Sequence, residues 1–267
     1  MSVTGVISAA LVIGIVGLLV GLLLVGAAAK FHVTVNEREE QVRSLLPGNN
    51  CGGCGYAGCD ALAAAIASGE ADVSSCPVGG SQVGKAIAKI MGVDAGSTVR
   101  KVAYVKCAGT CDKTRKKSNY YGVKDCRMAV IVPGRTSKKC TYGCLGYGTC
   151  VKVCPFDAIH LKNGIAKVDP AACKACGKCI EACPNSLIEL VPYRSVYRVQ
   201  CNSNDKGKAV REACDAGCIG CRACERACQY GAVVVENNLA RIDSEKCVGC
   251  GACAEKCPTK VIRVEGK

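Results

Sequence analysis

The sequence is poor in large aromatic side chains and in histidine. Its 267 residues include two Phe, no Trp and two His, and aromatic residues make up only 4%. So few aromatic residues argue against a large aromatic-rich core. Two imidazoles nearly exclude zinc sites of mixed Cys/His type. No Ser/His/Asp arrangement and no pair of carboxylates stands out, so no bond-making chemistry is assigned to this chain.

Nucleotide-binding fingerprints are also lacking. Residues 53–58 match the pattern G-x-G-x-x-G, but the turn-like PGNN precedes them where a dinucleotide fold would have a β-strand. A cysteine that we interpret as a metal ligand also lies inside this loop. We therefore reject a dinucleotide site there.

Cysteine, in contrast, is abundant, with 25 residues in the chain. This is about 9%, a fraction typical of a scaffold of disulfides or of metal sites. A secreted disulfide framework needs an oxidising compartment and is usually found in a shorter chain with an even count. The alternative is thiolate ligation of metal in a reducing cytosol, and the spacing of the cysteines decides between the two.

The formal net charge of +13 invites a nucleic-acid interpretation. That count treats every cysteine as neutral, whereas a four-thiolate [4Fe–4S] site carries about −2, so six such sites would leave roughly +1. Two basic segments remain, KTRKK at 113–117 and RTSKK at 135–139. They are either solvated loop charges or a docking surface for an acidic protein.

The N-terminal segment is strongly apolar. Residues 5–29 contain one conventionally polar side chain, Ser8, and would form about 37 Å of helix. The run lacks the basic start of a signal peptide and is too long for one. We therefore predict a single transmembrane helix. Lys30, Arg38 and Arg43 follow it, so the positive-inside rule predicts that the bulk of the protein faces the cytoplasm, at a cell (inner) membrane.

A four-cysteine motif follows this segment. Its members are Cys51, Cys54, Cys59 and Cys76. Glycines between them allow the backbone to wrap closely around an anionic cluster. The sequence of residues 60–69 predicts a short helix that ends at Gly69. The backbone amides at its N-terminus would favour the negative charge of the cluster.

Beyond residue 140 the spacing is that of bacterial ferredoxins, in which a run C-x2-C-x2-C-x3-C supplies three ligands to one [4Fe–4S] cluster and the fourth to its neighbour. Zinc sites use two separated CxxC pairs, so the third step argues for iron. The runs are Cys173, Cys176, Cys179 and Cys183; Cys218, Cys221, Cys224 and Cys228; and Cys247, Cys250, Cys253 and Cys257.

An offset of 74 residues maps Cys140 onto Cys214 and relates two tandem ferredoxin-like modules. The short runs AIHL, IAKV, VVVE and ARID predict paired strands in these modules, with hairpin turns at Asn163-Gly164 and Asn237-Asn238. Tyr147 occupies the position equivalent to Cys221, so the first module needs other ligands. We predict four clusters for the two modules. Their ligands are Cys140, Cys144, Cys150 and Cys183; Cys154, Cys173, Cys176 and Cys179; Cys218, Cys221, Cys224 and Cys257; and Cys228, Cys247, Cys250 and Cys253.

Five cysteines then remain. Since all the other cysteines are predicted to bind iron, we do not expect five thiols to be inert. Four of them would hold a further cluster, for which we choose Cys107, Cys126, Cys201 and Cys214. Cys111 is left as the spare. The expected cofactors are therefore five or six [4Fe–4S] clusters.

The pattern predicts an α+β fold with a single N-terminal transmembrane helix, a small four-Cys iron–sulfur domain and two tandem two-cluster ferredoxin-like (βαβ) modules. The predicted parts are an anchor at 1–30, the four-Cys domain at 31–92, a connecting segment at 93–139, the first module at 140–190, a linker at 191–217 and the second module at 218–267.

A single span, then NNCGGCGYAGCDALAAAIASGEADVSSCPVGG, then ferredoxin modules, resembles the B subunit of the Rnf complex along essentially the whole chain. The resemblance implies a cluster on the four-Cys motif and a role as electron-transfer subunit of an ion-translocating ferredoxin:NAD⁺ oxidoreductase. Reduced soluble ferredoxin would be the donor, and the other membrane and flavin subunits would be partners. Shorter family members have one ferredoxin module, so this chain resembles the extended form of clostridia and acetogens.

Three rival functions remain at this stage. A polyferredoxin subunit of a hydrogenase or formate-oxidising complex would share the modules but not the four-Cys domain beside a span. An accessory protein of corrinoid methyl transfer would need a corrinoid-binding barrel, for which the chain has no room. A zinc-structured nucleic-acid binder is disfavoured by the third CxxC step.

Overall fold

The computed structural model describes residues 3–30, 36–96, 99–193 and 197–264. The first residues of the predicted anchor and of the four-Cys domain lie outside these ranges, as do short pieces of the connecting segment, the linker and the C-terminal end. In chain order the described elements are α1 Val3–Lys30, α2 Glu37–Leu45, α3 Cys59–Ala67, α4 Gly80–Met91, β1 Lys101–Val105, α5 Cys126–Ile131, α6 Thr149–Lys152, β2 Ile159–Lys162, β3 Ile165–Val168, α7 Lys178–Glu181, β4 Ile188–Pro192, β5 Tyr197–Val199, α8 Gly207–Ala213, α9 Ala223–Ala227, β6 Val233–Glu236, β7 Leu239–Ile242, α10 Ala252–Glu255 and β8 Ile262–Val264.

Helix α1 covers the apolar N-terminal segment, and the large apolar side chains described along it, from Ile7 to Val25, are exposed. None of the helices in the described residues has the length and apolar character needed to cross a membrane. A span needs about 20 consecutive apolar residues. The prediction of a single N-terminal transmembrane helix is therefore corrected.

Helices α2, α3 and α4 form the small four-Cys domain around a core of aliphatic side chains. Asn36 caps α2 by accepting a hydrogen bond from the amide of Arg38, and α4 ends at Gly92 in the left-handed conformation that glycine favours. Val42 from α2, Ile66 from α3 and Ile87 from α4 are almost completely buried in this core. Helix α3 begins at Cys59, one residue before the predicted start, and ends two residues before Gly69.

Beyond the four-Cys domain, the residues that the structure describes form four two-stranded antiparallel sheets. Two of them are the predicted hairpins, β2 with β3 and β6 with β7. Asn163 and Gly164 turn the first hairpin, and Asn237 and Asn238 turn the second, all with the positive φ that such tight turns require. The prediction of short paired strands in both modules is confirmed.

The other two sheets were not predicted, because each uses a strand from outside the cysteine-rich repeat. Strand β1 pairs with β4, and β5 pairs with β8. The two pairings are equivalent, since Val105 faces Ile188 and Val199 faces Ile262, which the 74-residue offset relates to Ile188. The connecting segment and the linker are therefore structural parts of the two modules.

Each module has its own core, in which thiols take the place of large apolar side chains. In the first module, Cys144, Cys150 and Cys173 pack among aliphatic residues such as Ile159 and Ile165. In the second, the buried members include Cys218, Cys224, Cys253 and Cys257. Cysteine therefore supplies much of the interior that aromatic side chains would otherwise fill.

Candidate metal centres

The first group of thiols, named site A, consists of Cys51, Cys54, Cys59 and Cys76. Cys59 and Cys76 are buried in the four-Cys domain, and Cys54 packs against the same core. The side-chain oxygen of Asn50 accepts a hydrogen bond from the amide of Cys59 at 2.8 Å, which fixes the start of α3. The amide of Gly79 donates to the Sγ of Cys76 at 3.4 Å.

Site A lies directly against the first ferredoxin-like module. A Cβ added at Gly53 would stand 2.7 Å from the carbonyl oxygen of Cys176, so the two backbones touch at a position where only glycine fits. Cys51 is also close enough to Cys176 for its charge to raise the pKa of that thiol, after the larger effect of burial. The glycine-rich loop therefore joins two groups of thiols.

The second group, site B, is Cys154, Cys173, Cys176 and Cys179. All four, which are the set predicted for one cluster, line one cavity together with Phe156 and Ile159. Backbone amides reach two of the sulfurs, from Ala103 to Cys173 and from Ala158 to Cys154, each at 3.4 Å. The donor to Cys173 comes from β1, so the additional strand contributes to the surroundings of this site.

The third group, site C, differs from the sequence-based expectation. The cavity beside α6 and α7 is lined by Cys126, Cys144, Cys150 and Cys183, whereas Cys140 lies elsewhere. The expected set had Cys140 in place of Cys126. Tyr147, which replaces the cysteine of the repeat, packs instead against Tyr120, with their ring centroids 5.1 Å apart.

Cys126 is positioned by a chain of hydrogen bonds at the start of α5. Its amide donates to the Oγ1 of Thr149 at 2.7 Å, and that hydroxyl donates to Asp125 at 3.0 Å. Asp125 also caps α5 by accepting from the amide of Arg127 at 2.9 Å. Asp125 was a sequence signal for the start of α5, because Asp is a preferred N-cap residue. Nothing in the cysteine spacing linked Cys126 to the first module.

The second module contains site E, which is Cys218, Cys221, Cys224 and Cys257, and site F, which is Cys228, Cys247, Cys250 and Cys253. The four thiols of site E line one cavity with Val235 and Ile262. In site F, the charges of Cys247 and Cys228 act on Cys253, and Cys250 is exposed on the loop between Cys247 and Cys253.

A further cavity lies between the modules and is lined by five thiols, of which Cys144 also lines the cavity of site C. The other four are Cys107, Cys140, Cys201 and Cys214. We name these four thiols site D. The sequence placed three of them in one set, but with Cys126 in place of Cys140. Cys111, the predicted spare, is exposed, and its Sγ lies against Gly164 and outside this cavity lining.

Burial raises the pKa of several of these thiols in the absence of metal. It raises the pKa of Cys150 and of Cys179 to about 12, with neighbouring thiols adding to the effect. Burial likewise raises the pKa of Cys201, Cys214 and Cys224 to about 11. Burial alone would raise the pKa of Cys257 too, but hydrogen bonds from the Thr259 hydroxyl and nearby amides lower it. Thiolate ligation must therefore release protons at nearly every site.

The donor set fits clusters better than single ions. Among the described residues, no three His, Cys, Asp or Glu side chains converge as the ligands of one metal ion would. The thiols of sites B, C, D and E stand around cavities instead. This is the arrangement expected when each thiolate binds a different iron of a [4Fe–4S] cubane.

Comparison with known proteins supports this chemistry. Residues 46–78 match a family described as a putative Fe-S cluster, and residues 133–184 and 217–261 match two families described as 4Fe-4S dicluster domains. The chain is 52% identical to the B subunit of the Na(+)-translocating ferredoxin:NAD(+) oxidoreductase complex of Acetobacterium woodii over 88% of this chain and 71% of that protein.

Two further relatives cover most of both chains. The B subunit of the ion-translocating oxidoreductase complex of Methanosarcina acetivorans is 43% identical over 93% of this chain and 94% of its own length. The B subunit of the proton-translocating ferredoxin:NAD(+) oxidoreductase complex of Clostridium ljungdahlii is 42% identical over 89% of this chain and 84% of its own.

Tandem 4Fe-4S dicluster domains joined to a third iron–sulfur domain define a class, the polyferredoxins that transfer electrons. Within that class, the identity along nearly the whole chain shows the family. The chain belongs to the B subunits of the Rnf complexes, the ion-translocating ferredoxin:NAD⁺ oxidoreductases, and is an iron–sulfur electron-transfer subunit of such a complex. The family resemblance predicted from the sequence is confirmed.

Proposed function

We propose that sites A, B, C, E and F each hold a [4Fe–4S] cluster and that the chain relays electrons from reduced ferredoxin to other subunits of a membrane-associated Rnf-type complex. A bound [4Fe–4S] cluster supplies reversible one-electron transfer. The chain's own residues bury the ligands, supply amide donors to the sulfurs and hold neighbouring sites together.

The observation that carries this proposal is the contact between Gly53 and Cys176. It brings site A against site B through backbone atoms alone. Site B continues into site C within the same module, because the charge of Cys179 acts on Cys150. Three sites are therefore consecutive neighbours from the four-Cys domain into the first module, as a relay requires.

An acidic donor would find a basic surface on the connecting segment. The two basic segments lie side by side, because their backbones form hydrogen bonds. The amide of Lys117 donates to the carbonyl of Ser137 at 2.8 Å, and the amide of Lys139 donates to the carbonyl of Arg115 at 2.7 Å. Lys116 and Lys117 are exposed there. We take the exposed side chains of this basic surface, 113–117 with 135–139, as the docking site of ferredoxin, without Lys138, which is buried. The names of two relatives include ferredoxin as a substrate of their complexes.

The remaining reactions fall to other subunits. No nucleotide or flavin fingerprint was found in the sequence, so NAD⁺ and flavin are assigned to partners. We retain the predicted domain boundaries with one change, that each ferredoxin-like module extends back to include the strand, β1 or β5, that pairs with its last strand.

The test is ferredoxin-dependent NAD⁺ reduction by the purified complex carrying Cys51→Ala in this subunit. We expect this variant to lose activity together with about 4 Fe per chain. Cys111→Ala, at an exposed thiol outside the cavity linings of sites B to E, is the matched control and should keep both. Full activity in Cys51→Ala would show that the relay does not run through site A.

A further inference from the structure

Site D is built from equivalent pieces of the two modules. Cys107 follows β1 by two residues, and Cys201 follows β5 by two residues. Both strands pair with the last strand of their module in equivalent register. Cys140 and Cys214 are themselves related by the 74-residue offset. The internal repeat therefore presents two thiols from each module to one cavity.

The hydrogen bonds at these sulfurs repeat in the same way. The amide of Cys144 donates to Cys107, and the amide of Cys218, its equivalent, donates to Cys201. The amide of Tyr142 donates to Cys140, and that of Ala216, again its equivalent, donates to Cys214. Four sulfurs that each receive an amide donor are suited to bear negative charge.

A buried cation lines the same cavity. Lys138 is only 6% exposed, and its Nζ donates to the carbonyls of Gly109 at 3.1 Å, Cys144 at 3.1 Å and Gly164 at 2.6 Å. All three ammonium protons are thus used, which fixes the group in place. Within the described part of the chain, Lys138 makes no ion pair with a carboxylate. A buried charge without a counter-charge is costly.

From this geometry we propose that Cys107, Cys140, Cys201 and Cys214 hold a sixth [4Fe–4S] cluster between the two modules, with Lys138 as its buried counter-charge. The family matches cover one cluster region and two dicluster regions, so they assign no cluster here. This inference rests on the proposed function, because it concerns the same relay. It joins sites A to C with sites E and F, since Cys107 contacts Cys144 of site C and Cys201 contacts Cys218 of site E.

Iron and sulfide analysis of the full-length chain, purified without oxygen, tests the ligand set. The unchanged chain should hold about 24 Fe, and Cys201→Ala should lose about 4. Cys140→Ala/Cys214→Ala should also lose about 4, because both ligands serve one cluster, while Cys126→Ala/Cys214→Ala should lose about 8. The reverse pattern would restore the sequence-based grouping and overturn the inference. Cys111→Ala should lose none.

A second variant leaves every thiol in place and so applies even if an alanine variant fails to fold. Lys138→Met removes the buried charge, and a redox titration followed by EPR should show a more negative reduction potential for the cluster that Cys201→Ala removes. A shift confined to the cluster that Cys150→Ala removes would assign Lys138 to site C and refute its role at site D. Lys139→Met, at the exposed neighbour that pairs with Glu212 at 3.4 Å, is the control. Equal potentials in the two variants would refute the role of Lys138.

These outcomes separate the inference from the proposed function. An unchanged chain with about 20 Fe and full ferredoxin-dependent activity in the complex would refute site D alone. A chain with about 24 Fe that takes no electrons from ferredoxin would support site D and refute the proposed function.

Discussion

The amide nitrogen of Cys144 donates a hydrogen bond to the Sγ of Cys107, with 3.4 Å between the two atoms. Cys144 belongs to site C and Cys107 to site D, so one peptide unit connects the surroundings of both groups of thiols. Cys201 and Cys218 repeat this relationship between site D and site E. The order of the sites in space therefore follows from short backbone contacts rather than from long side chains.

Thr149→Val tests how Cys126 is held at site C. The hydroxyl of Thr149 is buried and bridges the amide of Cys126 and the carboxylate of Asp125. Valine keeps the shape but leaves the amide unpaired, which should lower the free energy of unfolding by about 1–3 kcal/mol. Urea unfolding followed by circular dichroism measures this.

Thr149→Ser is the matched control, because it keeps the hydroxyl and should retain most of the stability and the full iron content. If the valine variant is as stable as the unchanged chain and keeps all its iron, the hydroxyl does not position Cys126.

Gly53→Val tests the contact between site A and site B. The new Cβ would lie 2.7 Å from the carbonyl oxygen of Cys176, a backbone atom that cannot easily move away. Overpacking of this kind costs about 1–3 kcal/mol, so the four-Cys domain should separate from the first module. Stopped-flow reduction should show slower electron exchange of site A, with an unchanged iron content.

The matched control is Ala57→Val, at an exposed position of the same loop. Equal reduction rates in Gly53→Val and Ala57→Val would mean that the backbone contact is not the route between the two sites.

Thr259→Val tests the hydrogen bonds at Cys257. The hydroxyl lies 3.6 Å from the sulfur, and donation from it helps to lower the pKa of this thiol against the effect of burial. Hydrogen bonds to cluster sulfurs stabilise the reduced, more negative form. Their loss should lower the reduction potential of site E by about 40 mV, on the order of 1 kcal/mol for one electron.

A redox titration followed by EPR measures this shift. Thr259→Ser should restore the original potential because it keeps the donor. If the potential of the valine variant is unchanged, the Thr259 hydroxyl has no effect on the reduction potential of site E, and only the backbone amides at Cys257 influence it.

Local patterns in the sequence carried much of the prediction. Asn163-Gly164 forces a tight turn whatever surrounds it, and the repeated C-x2-C-x2-C spacing forces three thiols onto one loop, so the hairpins and site B were accessible from residues alone. The helix at Cys59 was predicted within one residue at its start.

Long-range pairing was not accessible in the same way. Strand β1 meets β4 across more than 80 residues, and no turn signal specifies that pairing. Without this pairing, the sequence could not place Cys107 next to any other group of thiols. It also could not show that Cys126 and Cys140 line different cavities. The predicted membrane span was wrong, since none of the helices in the part of the chain that the structure describes meets the requirement for a span.

Lys116→Glu/Lys117→Glu tests ferredoxin docking on the basic surface. Both side chains are exposed, and the backbone pairing of Lys117 with Ser137 holds their segment beside the second basic segment. Reversing two charges should slow association with an acidic partner on the order of tenfold at low ionic strength, with a smaller difference at high salt. The rate of reduction by ferredoxin as a function of salt measures this effect. Lys85→Glu/Lys89→Glu places the same charge change on exposed positions of α4 and should have little effect. An equal slowing in both variants would mean that net charge, and not this surface, governs the encounter.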